Sequence, residues 1–224
     1  MADFINTIEA LGDDAVMDAL ISRTITDFKD DTVKMIGGYA FTDCTALVNV
    51  DIPAVTELRE RAFKNCSALL HVNLPEVVNR QGYETFSSCT SIERIRFPKL
   101  ITSNGYYAFS STTNLKIIDF DVLTKFQFQS AFQYGSSCVA IVLRTRETVC
   151  ALPDVGFISQ AAAFKADGSG NGHIYVPKTM ADGTDGIAAY EAATNWSTYA
   201  GHFCYIEDYT VDGTLTGEID ETKI

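Results

Sequence analysis

Ala40 to Val55 reads AFTDCTALVNVDIPAV, and Ala62 to Val77 reads AFKNCSALLHVNLPEV. Thr85 to Leu100 follows with TFSSCTSIERIRFPKL, Ala108 to Leu123 with AFSSTTNLKIIDFDVL, and Ala131 to Arg146 with the worn copy AFQYGSSCVAIVLRTR. The phenylalanines Phe41, Phe63, Phe86, Phe109 and Phe132 are separated by steps of 22, 23, 23 and 23 residues. A fixed period of this size marks stacked supersecondary units, none of which can bury its apolar edge alone.

Each column of the repeat has a physical task. Three residues after Phe stand Cys44, Cys66, Cys89, Thr112 and Gly135, and six after it Leu47, Leu69, Ile92, Leu115 and Cys138. Nine and eleven after it come Val50 and Ile52, Val72 and Leu74, Ile95 and Phe97, Ile118 and Phe120, Ile141 and Leu143. That last pair alternates with other residues, the period-two signature of a short strand with one buried face. Pro53, Pro75 and Pro98 close three of the strands, where a missing N–H ends a ladder. An earlier coil is visible in Ile25, Phe28, Val33, Ile36, Ala40 and Phe41, and a closing one in HIYVPKT from His173. Residues 144–173 break the period and read as an insertion.

The pattern AFxxCxxLxxVxIPxV resembles the BspA-type leucine-rich repeats of bacterial surface proteins and of phage or prophage proteins, over Ile25 to Leu143. The segment Tyr190 to Phe203, after IYVPKT, is similar to the end that commonly follows such repeats. FINTIEALGDD from Phe4 and the closing DYTVDGTLTGEIDETKI look like the ends of phage-encoded members. The resemblance implies recognition or adhesion, with no catalytic residues to carry over. It implies an α/β solenoid, a leucine-rich-repeat right-handed superhelix with a stacked parallel sheet, a helical N-terminal cap and an irregular C-terminal cap. The expected organisation is 1–24 as helical cap or attachment segment, 25–143 as repeats, 144–206 as insertion and C-terminal cap, and 207–224 as acidic tail or hairpin.

The ends are read from spacing. Phe4, Ile5, Ile8 and Leu11, then Val16, Met17, Leu20 and Ile21, fall at helical spacing, with Asp13 or Asp14 as a cap for the second helix. These helices either cover the open end of the stack or dock it onto a larger particle. Ala188 to Ala193 suits a short helix, Trp196 and Tyr199 supply a lid, and the Asp-Gly of YTVDGTLTG suits a hairpin.

Charge narrows the partners. The chain of 224 residues carries 17 Lys and Arg against 29 Asp and Glu, a net charge of −12. Residues 1–31 hold eight acids and two bases, and 207–224 six acids and one base, so the body between is nearly neutral. No basic stripe exists for phosphates, which argues against nucleic acid. No run of about 18 apolar residues exists, so no membrane insertion is expected. MADFINTIEALGDD lacks the basic and apolar regions of a secretory signal. The expected location is a virion if the chain is phage-encoded, as the resemblance of its ends implies, and otherwise the outside of the cell by a route without a classical signal peptide.

Chemistry-bearing residues are few. Three of the six cysteines share one repeat column, with no CxxC pair or nearby His, which fits buried thiols better than zinc. His71, His173 and His202 are scattered, and Gly37-Gly38 lacks the lysine and spacing of a P-loop. No cofactor is expected, and no enzyme. Asp167, Ser169 and Asn171, with Gly172 sixth, imitate half of a calcium loop, but Lys178 stands where its bidentate Glu belongs; a Gly-rich loop is the simpler reading.

The candidate binding surface is the outward side of the sheet, made of residues eight and ten after each Phe. It comprises Asn49 and Asp51, His71 and Asn73, Arg94 and Arg96, and Ile117 and Asp119, grading to Ala140 and Val142. Alternate residues of a strand share a face, so these form two columns with arginines at the centre. Arginine there suits a protein or carboxylate partner; the resemblance implies other virion proteins, or a host surface protein or glycan. The competing reading is a solvated sheet face with no ligand.

Overall fold

In the computed structural model, residues 23, 25–134, 138–154, 156, 158, 161–165 and 170–208 are described. The helical N-terminal segment, the Asp167–Ser169 part of the glycine-rich loop and the C-terminal hairpin lie outside these residues. One side of the coil carries strands β1 (Asp27–Lys29), β3 (Asn49–Asp51), β5 (His71–Asn73), β7 (Arg94–Phe97), β9 (Ile117–Phe120), β11 (Ala140–Leu143), β12 (His173–Val176) and β13 (Phe203–Tyr205). The return side carries β2 (Met35–Ile36), β4 (Glu57–Leu58), β6 (Asn79–Gln81), β8 (Thr102–Tyr106) and β10 (Phe128–Gln129). All strand pairs are parallel, and the second sheet runs unbroken in the order β10-β8-β6-β4-β2.

The expected α/β character is corrected here. Among the described residues the repeats hold no helix; the return limb is a second parallel sheet. Val55 to Ala62 shows why. Its eight residues would rise only about 12 Å as a helix, against roughly 26 Å when extended. The limb must cross the coil, so its anchors Val55 and Leu58 are buried from an extended chain.

The phenylalanine column forms the spine. Ring centroids are 5.2 Å apart for Phe41 and Phe63, 5.4 Å for Phe63 and Phe86, 5.9 Å for Phe86 and Phe109, and 6.1 Å for Phe109 and Phe132. Phe28 adds a tilted ring at 4.9 Å from Phe41. The small residues before each Phe let a third ladder form at this corner: the N–H groups of Phe41, Phe63, Phe86 and Phe109 donate to the carbonyls of Ala62, Thr85, Ala108 and Ala131. Residues two before and two after Phe turn the corner with positive φ, among them Tyr39, Arg61, Asp43 and Asn65. Such backbone costs about 1–2 kcal/mol per residue outside glycine, which the coil-to-coil bonds must offset. In the cysteine column the Cys66 and Cys89 thiols donate to the carbonyls of Phe41 and Phe63 at 3.0 Å. Thr112 uses its hydroxyl on the Phe109 carbonyl of its own coil.

The described residues within 144–173 include two segments that join the stack. Lys125 bridges Ala151 in parallel, continuing the line of the second sheet. Ala163-Phe164 then supplies another Ala-Phe pair, with Phe164 fully buried, before β12 pairs with β11. The step from Phe132 is 32 residues, and Ile174 lies ten rather than nine residues after its Phe.

The C-terminal end is more regular than expected. Helix α1 (Gly186–Ala192) is capped by Asp185, whose carboxylate accepts from the Ala188 N–H at 2.9 Å. Gly186 sits so close to the Pro177 carbonyl that a Cβ would come within 1.7 Å of it, so only glycine fits. Trp196 and Tyr199 are buried, and Trp196 donates to the Cys150 carbonyl. β13 then pairs with β12 and extends the first sheet. One apolar core runs from Phe28 to Tyr199.

The spine makes a direct prediction. Phe86→Ala removes a fully buried ring stacked on both sides and should cost roughly 3–5 kcal/mol. Equilibrium urea denaturation measures this; a loss below about 1 kcal/mol would contradict the stack.

Candidate binding surface

The register brings the expected columns together. Asn49 lies beside His71 and Asp51 beside Asn73, and across the next pair Arg94 lies beside Ile117 and Arg96 beside Asp119. Polar ladders link the N-terminal coils. Asn49 donates to Asp27 at 2.6 Å and Asn73 to Asp51 at 2.9 Å, while Lys29 pairs with Asp51 at 3.0 Å. The Asn73 amide and then Lys29 hold the Asp51 carboxyl below the usual range. Asn49, Asp51 and Asn73 therefore already serve neighbouring coils.

Two of the eight expected surface residues are not on the surface. Ile117 and Asp119 are buried, as are Ala140 and Val142 beyond them. Ile117, Ala140 and Val142 form a second apolar cluster with Tyr175 and Ile206 on the outer side of the sheet. Strand alternation tells which face a residue takes, not whether a distant segment covers that face. The covering turn, Ile206–Asp208, is pinned by Glu207, which accepts from Arg146 at 2.7 Å and from the Lys178 N–H at 2.8 Å.

Asp119 has a different role from the one its column implies. It is fully buried and accepts a two-pronged pair from Arg144 at 2.7 and 2.8 Å. Arg96 makes a matching pair with Asp121 at 3.1 and 2.8 Å. Arg94 approaches Asp119 only to 3.8 Å. His71 is exposed.

Between the ladders and this charge cluster lies an open groove of about 730 Å³. Its polar rim includes Asp51, His71, Asn73, Glu93, Arg94 and Arg96, and Val50, Leu70 and Val72 line it as well. Leu70 and Glu93 were not among the expected residues. Their signal is the position seven after Phe, which flanks the strand and places Leu70 44% exposed.

Other chemistry is sparse. Cys44, Cys66, Cys89, Cys138 and Cys150 are buried, and burial pushes the Cys89 and Cys138 thiols up to about 12, which keeps them protonated. Cys204, half-buried, has its Sγ 3.4 Å from His173 Nδ1. Burial, and then the charge of His202, hold the His173 imidazole below its usual range. Among the described residues no group of three or more His, Cys, Asp or Glu side chains is placed to hold a metal ion. No described helix is long and apolar enough to cross a membrane.

The family model of the BspA type leucine rich repeat region matches residues 18–139 in six copies, more than half of the chain. Among solved structures, a leucine rich cell surface protein from Faecalibacterium prausnitzii A2-165 aligns at 17% identity with a TM-score of 0.33. The alignment covers 81% of this chain and 59% of that one, so the chain spans about three fifths of that protein's length. No curated protein matches the chain.

The two classes of charge on this surface should separate under mutation. Asp119→Ala takes from buried Arg144 the carboxylate that accepts both its hydrogen bonds, leaving only Asp121 at 3.7 Å, and should cost about 3 kcal/mol. Asp51→Ala removes an exposed pair and should cost no more than about 1 kcal/mol. Urea melts of both variants at one pH measure the difference; equal losses would contradict the placement of Asp119.

Proposed function

The chain belongs to the BspA-type leucine-rich repeat family, and from that premise we propose that it is a non-catalytic binding protein presenting its first sheet to a partner. The observation that carries this reading is the groove. It lies on the outward face, combines an apolar lining with a polar rim, and is bordered by Arg94 and Arg96. Protein interfaces use such mixtures, with arginine near the centre of the contact. Asn49, Asp51, His71, Asn73, Arg94 and Arg96 form the working surface, and Ile117 and Asp119, buried on the same face one strand further on, border it.

The carrier of this surface is a separate part of the proposal. The resemblance of the Phe4 and Asp208 segments to ends of phage-encoded members supports a tail or virion-associated protein acting in host recognition or particle structure. Family membership supports the second reading, a bacterial surface adhesin for a host protein or glycan. Peptide mass spectrometry of purified particles, set beside protease-shaved cells of the producing strain, separates them. Recovery in particles favours the first and recovery only from cell surfaces the second.

Arg94→Ala combined with Arg96→Ala should weaken binding of the full chain to its target cells or particles by at least tenfold, on the order of 1.4 kcal/mol. The same double variant should fold normally by circular dichroism. Flow cytometry with labelled protein reads the binding, and unaltered binding would dismiss the sheet face as the working surface.

A further inference from the structure

Tyrosines gather at the corner where the return side meets the phenylalanine spine. The position three before Phe holds Tyr83 and Tyr106, and the position two before it holds Tyr39 and Tyr107. The latter position has positive φ in four successive coils, at Tyr39, Arg61, Glu84 and Tyr107. Stacking sets these side chains beside one another. The Tyr83 ring lies 6.2 Å from that of Tyr106, and 5.6 Å from that of Tyr107, to which it is near-perpendicular. Arg61 fills the coil that lacks a ring: its guanidinium carbon is 5.1 Å from the Tyr39 centroid and 5.2 Å from that of Tyr83. Four rings and one guanidinium thus make a ridge along the stack.

The core does not require this ridge. Tyr83 and Tyr106 are 38% and 49% exposed, and earlier coils fill the same position with Gly38 and Glu60. Charge on the ridge is balanced. Glu84 accepts from Arg61 at 2.7 Å and from Lys64 at 2.8 Å, Arg61 also donates to the Tyr39 hydroxyl, and Glu60 offsets the second cation. The main chain beneath is closed as well. The first sheet has no strand pairing between β5 and β7, but β2, β4, β6, β8 and β10 pair without a break. An added strand therefore finds no open edge here. What the ridge offers is exposed aromatic surface and phenol hydroxyls.

A matching occupant is uncharged, carries apolar rings and has main-chain carbonyls without internal partners. A polyproline II helix has all three properties, and its preformed backbone lowers the ordering cost on an aromatic surface. Its rise places next-but-one residues about 6.2 Å apart, the spacing of the Tyr83 and Tyr106 rings. A sugar ring needs an open aromatic face, whereas Tyr83 has Arg61 over its ring and Tyr107 packed against it.

We propose that the Tyr39–Tyr107 ridge binds a proline-rich segment of a partner protein in the polyproline II conformation. The segment runs along the stack with its prolines on the exposed sides of Tyr83 and Tyr106, and phenol hydroxyls donate to its carbonyls. The three coil steps from Tyr39 to Tyr106 span about 14 Å, room for about five such residues. This surface is separate from the first sheet, and the inference does not depend on what that sheet binds.

The test is selection of a displayed library of random ten-residue peptides on the full chain. Peptides that also bind the chain carrying Tyr83→Ala and Tyr106→Ala are first removed. The winners should be rich in proline, with pairs of prolines next but one or three apart. In fluorescence anisotropy a labelled winner should lose at least tenfold in affinity for the Tyr106→Ser chain. It should lose less for Tyr106→Phe, which keeps the ring, and nothing for Lys99→Ala on the far corner. Circular dichroism checks that each variant folds; Tyr106→Ser replaces a half-exposed ring and keeps the test valid should the double variant unfold. Winners without proline, equal affinity for Tyr106→Ser, or no winners at all would overturn the proposal. Tyr106-dependent binding to an array of neutral oligosaccharides, with no proline-rich winner, would overturn it in favour of a glycan. Loss of target cells by the arginine double variant bears only on the first sheet, so the two readings fail separately.

Discussion

Each coil contributes a phenylalanine that it cannot bury alone. The rings of Phe41, Phe63, Phe86, Phe109 and Phe132 lie one on the next, so each is desolvated by the coil before it and the coil after it. Stability in such a stack is a sum of nearest-neighbour contacts. The same contact fixes the coil spacing, and the spacing allows parallel strand pairing on both sides. It also sets the corner bonds from Phe N–H groups to the next coil's carbonyls, which hold residues such as Arg61 and Asn65 in left-handed backbone.

Once the spine sets the spacing, the outward face is left to vary. Its N-terminal third is closed by Asp–Asn and Asp–Lys ladders, and its C-terminal half by Tyr175, Ile206 and the Asp119–Arg144 pair. Between them the sheet divides and the groove opens. A buried ion pair such as Asp119–Arg144 adds little net stability over an apolar core but penalises any arrangement that separates it. It therefore defines where the covered part of the face ends.

Most of the fold was legible because the period is strict where the columns are full. Phe, Leu and the alternating strand pair each announce their burial by recurrence, and the structure places them in the core with Val72 as the exception. The coil around Phe164 was not legible, because a step of 32 residues and a one-residue slip before Ile174 disguise the same Ala-Phe device. The second sheet was hidden for another reason: two-residue strands such as Met35–Ile36 and Glu57–Leu58 are too short to show alternation. For the surface, the pattern gave the correct face for Arg94 and Arg96. It could not reveal that Ile206 covers the face at Ile117, since that contact joins residues far apart in the chain. Nor could it reveal the division beside β5, because Val72 and Leu74 fit the repeat as well as Val50 and Ile52 do.

Amide-resolved hydrogen exchange on the native chain tests most directly whether one continuous spine carries a sheet that is open at a single place. Amides of the Phe corners from Phe41 to Phe109 should exchange together at the slowest rates, by global opening. Amides of β7 that face β5 should exchange much faster than those of β9 and β11 at equivalent positions. Uniform slow exchange through β5, β7 and β9 would contradict the division, and separate rates for the N- and C-terminal corners would contradict the single spine.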